Sequence, residues 1–153
     1  MAFELTSKAF SSGSPIPRVH TCDGQDVSPE LTWTDPPAGA KSLALICDDP
    51  DAPVGTWVHW VLWGIGPETR TLPEGLGKKV SLSKGCLEGI TDFGRTGYGG
   101  PCPPRGKPHR YFFKLYALDM VPSLSPKARK SDLLEAIRGH VLDETKLMGT
   151  YKR

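Results

Sequence analysis

Two histidines stand in similar surroundings in two distant parts of the chain. Asp49 and Asp51 lie in a stiff DPDAP loop, and His59 lies in the apolar run that follows it. His109 and Tyr111 open a second aromatic-rich run, directly after a glycine- and proline-rich loop. Histidine and tyrosine can donate hydrogen bonds to an anionic oxygen, and backbone N–H groups of a glycine-rich loop can add more. These five side chains therefore predict a phosphate or carboxylate site.

The two carboxylates have a role in such a site although they repel an anion. An Asp that accepts one ring N–H of a histidine fixes the tautomer and favours the imidazolium, which leaves the other ring N–H for the ligand. We therefore predict that affinity for a phosphate group falls as the pH rises through the histidine titration.

Three predicted strands would position these residues. The apolar run Ser42 to Cys47 precedes the acidic loop, Trp57 to Ile65 follows it, and His109 to Leu118 follows the second loop. Antiparallel pairing of the first two runs would bring the acidic loop and His59 to one edge of a sheet. The period of two also predicts that one face of the second run carries Trp57, His59, Val61, Trp63 and Ile65.

The rest of the chain indicates one mostly β domain over residues 1–153. Its 17 Gly and 15 Pro are spread along the sequence, which favours many short strands joined by turns. A first strand is expected around Phe3 to Ala9 and a last one at Leu147 to Tyr151. One helix is predicted from Asp132 to about His140, with Asp132 as its N-cap residue.

Composition excludes several classes of protein. The formal charge of +2 gives no global field for nucleic acid, and no apolar stretch approaches the roughly 20 residues of a membrane span. The first residues show no export signal, so we expect a cytoplasmic protein. The four cysteines form no CxxC pair and are predicted to be reduced thiols, mostly buried.

Other interpretations of the same residues stay open. Two His and an Asp could ligate a metal ion, and Cys102, near Arg105 and Lys107, could act with His109 as the nucleophile of a hydrolase. The DPDAP loop could equally be a structural turn, and a single histidine at a strand end is usually structural. No GxSxG, GxGxxG or P-loop motif is present. We therefore expect no catalytic residue, no metal and no cofactor.

Five motifs resemble the phosphatidylethanolamine-binding protein family, which includes the Raf kinase inhibitor proteins. The resemblance covers about Phe3 to Tyr151 and rests on CDG with SPELTW, DPDAP, WVHW, GYGGPCPP and HRY. It implies an antiparallel β fold in which a large sheet packs against a smaller one, with one or two short helices. It also implies a pocket for phosphate, phosphoryl headgroups or similar anions. The residues that would form the pocket are Asp49, Asp51, Trp57, His59, Gly100, Pro101, His109 and Tyr111.

The resemblance also suggests partners. The chain ends where longer eukaryotic members carry a further helical segment, so it is similar to the shorter bacterial and archaeal branch, whose members often form homodimers. We expect a non-enzymatic, regulatory protein that binds an anionic ligand and inhibits a kinase or protease. Inhibition through a surface loop, independent of the pocket, is the alternative.

Overall fold

The computed structural model describes residues 2–153, and its elements are short apart from three long strands and one longer edge strand. A single turn of 3-10 helix, Arg18–His20, follows the first strand. The elements are β1 (Leu5–Thr6), β2 (Leu31–Trp33), β3 (Ser42–Asp49), β4 (Trp57–Ile65), β5 (Thr71–Leu72), β6 (Leu87–Glu88), β7 (His109–Leu118), α1 (Lys130–Ile137) and β8 (Val141–Tyr151).

These strands form two antiparallel sheets of unequal size. The small sheet has the order β1-β2-β5, and the large sheet has the order β6-β4-β3-β7-β8. β3 lies at the centre of the large sheet, and all eight of its residues are buried. Burial is tolerated because each side chain is either apolar or has a hydrogen-bonding partner. The predicted fold, a large and a small antiparallel sheet with a short helix, is confirmed.

Each face of the large sheet has its own apolar core. One face packs against the small sheet, and its core includes Leu45 and Trp60 with Phe113 and Leu115 of β7. The opposite face is covered in part by α1, whose Leu133 is fully buried. The alternation of β7 matches the predicted faces, with the odd-numbered residues directed at the small sheet.

The predicted alternation along β4 is wrong, because the strand contains two bulges. The pairs Cys47↔Trp60 and Asp48↔Val58 leave His59 as an extra residue, and a second shift lies near Gly64, which has a φ of +72°. Each bulge exchanges the two faces of the strand. Trp60, Leu62 and Ile65 therefore belong to the core beneath the small sheet, whereas Val58, Val61 and Trp63 belong to the other core.

Three element boundaries differ from the sequence predictions. The helix begins at Lys130, and Asp132 is its third residue, where the carboxylate accepts the N–H of Arg129 at 2.9 Å. The favourable charge in the first turn is retained, although Asp132 is not the N-cap. The last strand begins at Val141 rather than near Leu147, and the first strand is limited to two residues.

The prediction of four reduced cysteines is also wrong. Cys22 and Cys102, 80 positions apart, are joined by a disulfide with a Cα–Cα distance of 5.4 Å. Cys47 and Cys86 are free and buried, as expected for small apolar side chains. Within residues 2–153, no helix is both long enough and apolar enough to span a membrane.

Candidate functional site

A cavity of about 240 Å³ opens at the edge of the large sheet, where β3 ends and where β4 and β7 begin. One wall is the loop after β3, and the opposite wall is formed by Phe93 and the segment Cys102–Pro104. The lining residues are Asp49, Ala52, Pro53, Val54, Trp57, His59, Phe93, Cys102, Pro103, Pro104, His109 and Tyr111. Five of the eight predicted site residues are in this set.

Asp49 holds His109 in one orientation. His109 Nδ1 lies 2.7 Å from Oδ2 of Asp49, and the carboxylate is almost completely buried. An ionised carboxylate only accepts hydrogen bonds, so Nδ1 carries the proton and donates it to Asp49. The other oxygen of Asp49 accepts the backbone N–H of Asp51 at 2.7 Å. Asp49 thus fixes both the loop and the ring, and it leaves Nε2 of His109 for a ligand.

His59 is held in a different way. Its Nδ1 donates to the backbone carbonyl of Gly99 at 2.6 Å, and the side chain is only 3% exposed. Burial lowers the pKa of His59, while the carbonyl of Gly99 and the charge of Asp49 act in the opposite direction. The neutral ring is therefore favoured, with a lone pair on Nε2. His59 can donate a hydrogen bond to a ligand only after it takes up a proton.

Aromatic rings fix the remaining sides of the two imidazoles. The Tyr111 ring meets His59 edge to face with a centroid distance of 5.2 Å and stacks near His109 at 6.5 Å. Phe93 meets His59 and Trp57 in the same edge-on manner. Burial, followed by the negative charge of Asp49, raises the pKa of Tyr111, so its hydroxyl stays protonated. The site combines two imidazoles with one phenol in a largely apolar hollow.

Asp51, which was predicted to bind the ligand, is outside this cavity lining. Its carboxylate accepts the backbone N–H, Nε and Nη2 of Arg110 at 2.8 to 2.9 Å. The hydrogen bond and charge of Arg110 lower the pKa of Asp51 to about 2. Asp51 therefore ties the acidic loop to the start of β7 and so supports the neighbouring residue His109.

Gly100 and Pro101 also support the site from behind rather than lining it. The N–H of Gly100 donates to Oδ1 of Asp26 at 2.7 Å, and the carbonyl of Pro101 accepts the N–H of Cys22 at 3.1 Å. A Cβ on Gly100 would overlap the carbonyl oxygen of His20, so only glycine fits there. These contacts place the neighbouring carbonyl of Gly99 against His59.

Sequence reasoning missed two residues that shape this wall. Phe93 contacts both His59 and Trp57, yet it lies in a stretch with no regular pattern. Asp26 supports the glycine loop from 74 positions away and has a left-handed φ of 60°, which Asp tolerates better than most residues. Only the CDG turn nearby signalled this loop, and nothing signalled its partner. Cys102 was considered as a nucleophile, but here its sulfur is bonded to Cys22.

Within the described residues, no group of three or more His, Cys, Asp and Glu side chains is placed to hold a metal ion. Each imidazole uses Nδ1 for a protein partner, and these partners differ in kind, a carboxylate and a carbonyl. The geometry instead offers separate hydrogen-bonding atoms to a small polar group.

The family comparison agrees with this fold. A family model described as phosphatidylethanolamine-binding protein matches residues 6–152. The chain belongs to the phosphatidylethanolamine-binding protein family. A UPF0098 protein of Methanothermobacter thermautotrophicus is 52% identical over 149 residues, which are 97% of this chain and 98% of the relative. A UPF0098 protein of Aquifex aeolicus is 49% identical over 152 residues, which are 98% of this chain and 88% of that protein.

Solved structures of this family have the same fold along the whole chain. A phosphatidylethanolamine-binding protein homologue of Chlamydia trachomatis has a TM-score of 0.90 at 42% identity and covers 99% of this chain and 98% of its own. Escherichia coli YbcL, described as a new member of the mammalian family, has a TM-score of 0.91 at 32% identity, with 100% and 99% covered. The predicted family, in its bacterial and archaeal branch, is confirmed, and membership supports a binding role.

Proposed function

We propose that the cavity binds the phosphoryl group of a small molecule or of a lipid headgroup. The observation that carries this proposal is the pairing of His109 with Asp49 beside a second buried imidazole. A histidine whose Nδ1–H is held by a carboxylate is favoured as a donor and a cation at Nε2, which suits an anionic oxygen. Tyr111 supplies a further protonated hydroxyl close by.

The composition of the cavity favours a weakly charged or amphiphilic ligand over a highly charged one. Among residues 2–153, no Lys or Arg side chain lines the cavity, so its positive charge comes from histidine alone. Its rim is apolar, formed by Pro53, Pro103, Pro104 and Val54, and Val54 is 81% exposed. A single phosphoryl group attached to a short apolar substituent fits both properties.

Isothermal titration with inorganic phosphate, phosphoethanolamine and a short-chain phosphatidylethanolamine tests the proposal. At about pH 5.5 we expect binding that weakens at least about tenfold by about pH 8.5, because an imidazole donates hydrogen bonds from both ring nitrogens only in its protonated form, which disappears as the pH rises. Binding of inorganic phosphate without binding of the other two compounds would identify a free anion as the ligand. Tighter binding of the lipid would identify a headgroup.

A matched variant controls for histidine protonation elsewhere in the protein. His140 is half exposed, and its Nδ1 lies 2.7 Å from a carboxylate oxygen of Asp119. This pair resembles that of His109 with Asp49, but it does not line the cavity. His140→Gln should leave the titration unchanged. Equal affinity at both pH values in the unaltered protein, or no binding at either, would contradict the proposal.

Further expectations from the resemblance stay predictions. Inhibition of a kinase or protease would be separated from ligand binding by His59→Gln/His109→Gln, since inhibition that survives the loss of phosphate binding would come from a surface loop. A cytoplasmic location, expected from the lack of an export signal, also stays a prediction. The Cys22–Cys102 disulfide bears on it, because disulfides persist in oxidising compartments and are rare in the cytosol outside hyperthermophiles.

A further inference from the structure

The outer face of the large sheet is covered by α1 over only part of its width. The covered part comprises β4, β3 and the second half of β7. Within residues 2–153, no helix or strand packs on the outer face of the first half of β7 and the facing half of β8, and the side chains on this outer face are half-buried or exposed. We call this uncovered area the β7–β8 face; it carries Arg110, Phe112, Lys114, Lys146, Met148 and Thr150.

Two lysines lie directly opposite each other on the β7–β8 face. Lys114 and Lys146 are cross-strand partners, an arrangement that destabilises a sheet because like charges face each other at close range. The charge of Lys114 is compensated by an ion pair with Asp48, whose side chain is 1% exposed. Asp48 also forms an ion pair with Lys130, at a distance of 2.7 Å. Within the described residues, Lys146 has no ion-pair partner. The sheet therefore retains an unfavourable pair whose positive charge is only partly neutralised.

The aromatic ring in the centre of this face is surrounded by cations. The side-chain charges of Arg110, Lys114 and Lys146 lie 5.6, 5.9 and 5.5 Å from the centroid of Phe112. Met148 is the cross-strand partner of Phe112 and completes an apolar centre. Because cations occupy the surroundings of the ring, it is poorly available as a platform for a stacked nucleobase.

The charges are spaced along the strand in a regular way. Arg110 lies four residues from Lys114 on the same face, which separates their Cα atoms by about 14 Å at the rise of a β-strand, with the apolar centre between the two side chains. Asp51 takes Nε and Nη2 of Arg110 and leaves Nη1 for another partner. An extended peptide has the same rise, so residues i and i+4 would meet the two cationic ends while residue i+2 meets Phe112 and Met148.

We propose that the β7–β8 face docks an extended acidic segment of a partner protein with the pattern acidic-x-apolar-x-acidic. Charge complementarity favours this occupant. Within the described residues, the three cations of this face, together with Lys130 of α1 at its border, face only the two carboxylates of Asp48 and Asp51. Glu144, in the next row beside Tyr116, ends the positive area. A helical segment fits less well, because residues four apart on a helix are separated by only about 6 Å.

Fluorescence anisotropy with a labelled Glu-Ser-Leu-Ser-Glu peptide at low salt tests the proposal. Lys146→Gln should weaken binding about fivefold and Lys146→Glu at least about tenfold, and about 0.3 M salt should abolish it. A Gln-Ser-Leu-Ser-Gln peptide should not bind, and a Ser-Glu-Leu-Glu-Ser peptide should bind more weakly. Thermal unfolding tests whether weaker peptide binding comes from a loss of structure. Lys146→Gln removes the repulsion between the two facing lysines, so it should keep or raise the melting temperature.

Lys41→Glu is the matched control, since it makes the same change of net charge at the opposite end of β3, where the N–H of Lys41 donates to Leu118. It should leave peptide binding unchanged. Equal affinity of the unaltered protein and of Lys146→Glu would overturn the proposal. Binding of a single-stranded oligonucleotide or of anionic vesicles, with none of the peptides bound, would overturn it as well and assign the face to that partner.

Discussion

The two walls of the cavity carry the same residue type and hold it by different chemistry. On the acidic wall, His109 is bound by the Asp49 carboxylate, and the loop is tied to β7 by the Asp51–Arg110 pair. On the glycine–proline wall, Gly99 to Pro104, His59 is bound by the carbonyl of Gly99, and the loop is tied to the rest of the molecule by a disulfide and by a partly buried hydrogen bond from Gly100 to Asp26.

This difference separates two tasks within one site. The carboxylate of Asp49 holds Nδ1 of His109 and places a negative charge beside that ring, whereas burial lowers the pKa of His59 and favours its neutral ring. His109 is therefore placed to attract an anion, and His59 responds to one only when the ligand itself supplies the compensating charge. Two similar sequence contexts, a rigid loop followed by a strand with a histidine, have thus produced unequal partners.

The largest expected effect concerns the covalent anchor of the glycine–proline wall. Removing the disulfide frees a loop of 80 positions and should lower the free energy of unfolding by about 4 kcal/mol. Denaturant unfolding of Cys22→Ser/Cys102→Ser measures this, and the variant should no longer respond to a dithiol reductant. Hydrogen exchange should increase at residues 101–106 and remain unchanged at the acidic loop. Equal loosening of both walls would break the comparison.

The second prediction compares the two imidazoles directly. A hydrogen bond to a charged group contributes about 1.5 to 3 kcal/mol, so His109→Gln should weaken phosphate binding by about 10- to 100-fold at about pH 6. His59→Gln should weaken it by no more than about fivefold, since the neutral ring contributes less. Calorimetric titration of both variants measures the ratio, and a larger loss in His59→Gln would reverse the assignment of the two walls.

The third prediction uses the pKa of His59 in the unliganded protein. Its ordinary value is 6.5 and burial lowers it in the folded state, so below about pH 6.5 the unfolded chain binds the proton more readily. Stability should therefore fall as the pH decreases through this range, by less than about 1.4 kcal/mol per pH unit for one group. In His59→Gln this part of the slope should disappear, while His140→Gln should keep it.

The smallest expected effect is on the acidic wall. Asp51→Asn keeps an acceptor for the N–H of Arg110 and loses the charge, so it should lower stability at neutral pH by about 0.5 to 1 kcal/mol. Because the pKa of Asp51 is lowered to about 2, this contribution should vanish as the pH falls from about 4 toward 2. Asp35→Asn, which breaks the exposed pair with Arg70, is the matched control and should have a smaller effect.

Local pattern was enough to predict the β class, the three long strands and five of the cavity residues, because each depends on composition and period within one segment. Residues that act through distant partners were harder. Asp51 binds Arg110, and Asp26 supports Gly100, so their roles are set by contacts 59 and 74 positions apart. Gly64 inside an apolar strand was a usable signal of a bulge, whereas the bulge at His59 had none. The disulfide was missed because reduced thiols were predicted from the lack of an export signal, and spacing alone does not show which cysteines meet.

The bulge at His59 gives this residue a different structural role from its neighbours in the strand. Its neighbours Val58 and Trp60 serve the two cores, and their side chains are constrained by close packing on both sides of the sheet. Residue 59 has no cross-strand partner and belongs to neither core, so its side chain is held by the carbonyl of Gly99 and the rings of Phe93 and Tyr111 rather than by packing inside a core. This position offers a place where ligand preference could diverge among relatives, or be redesigned, while the fold stays the same.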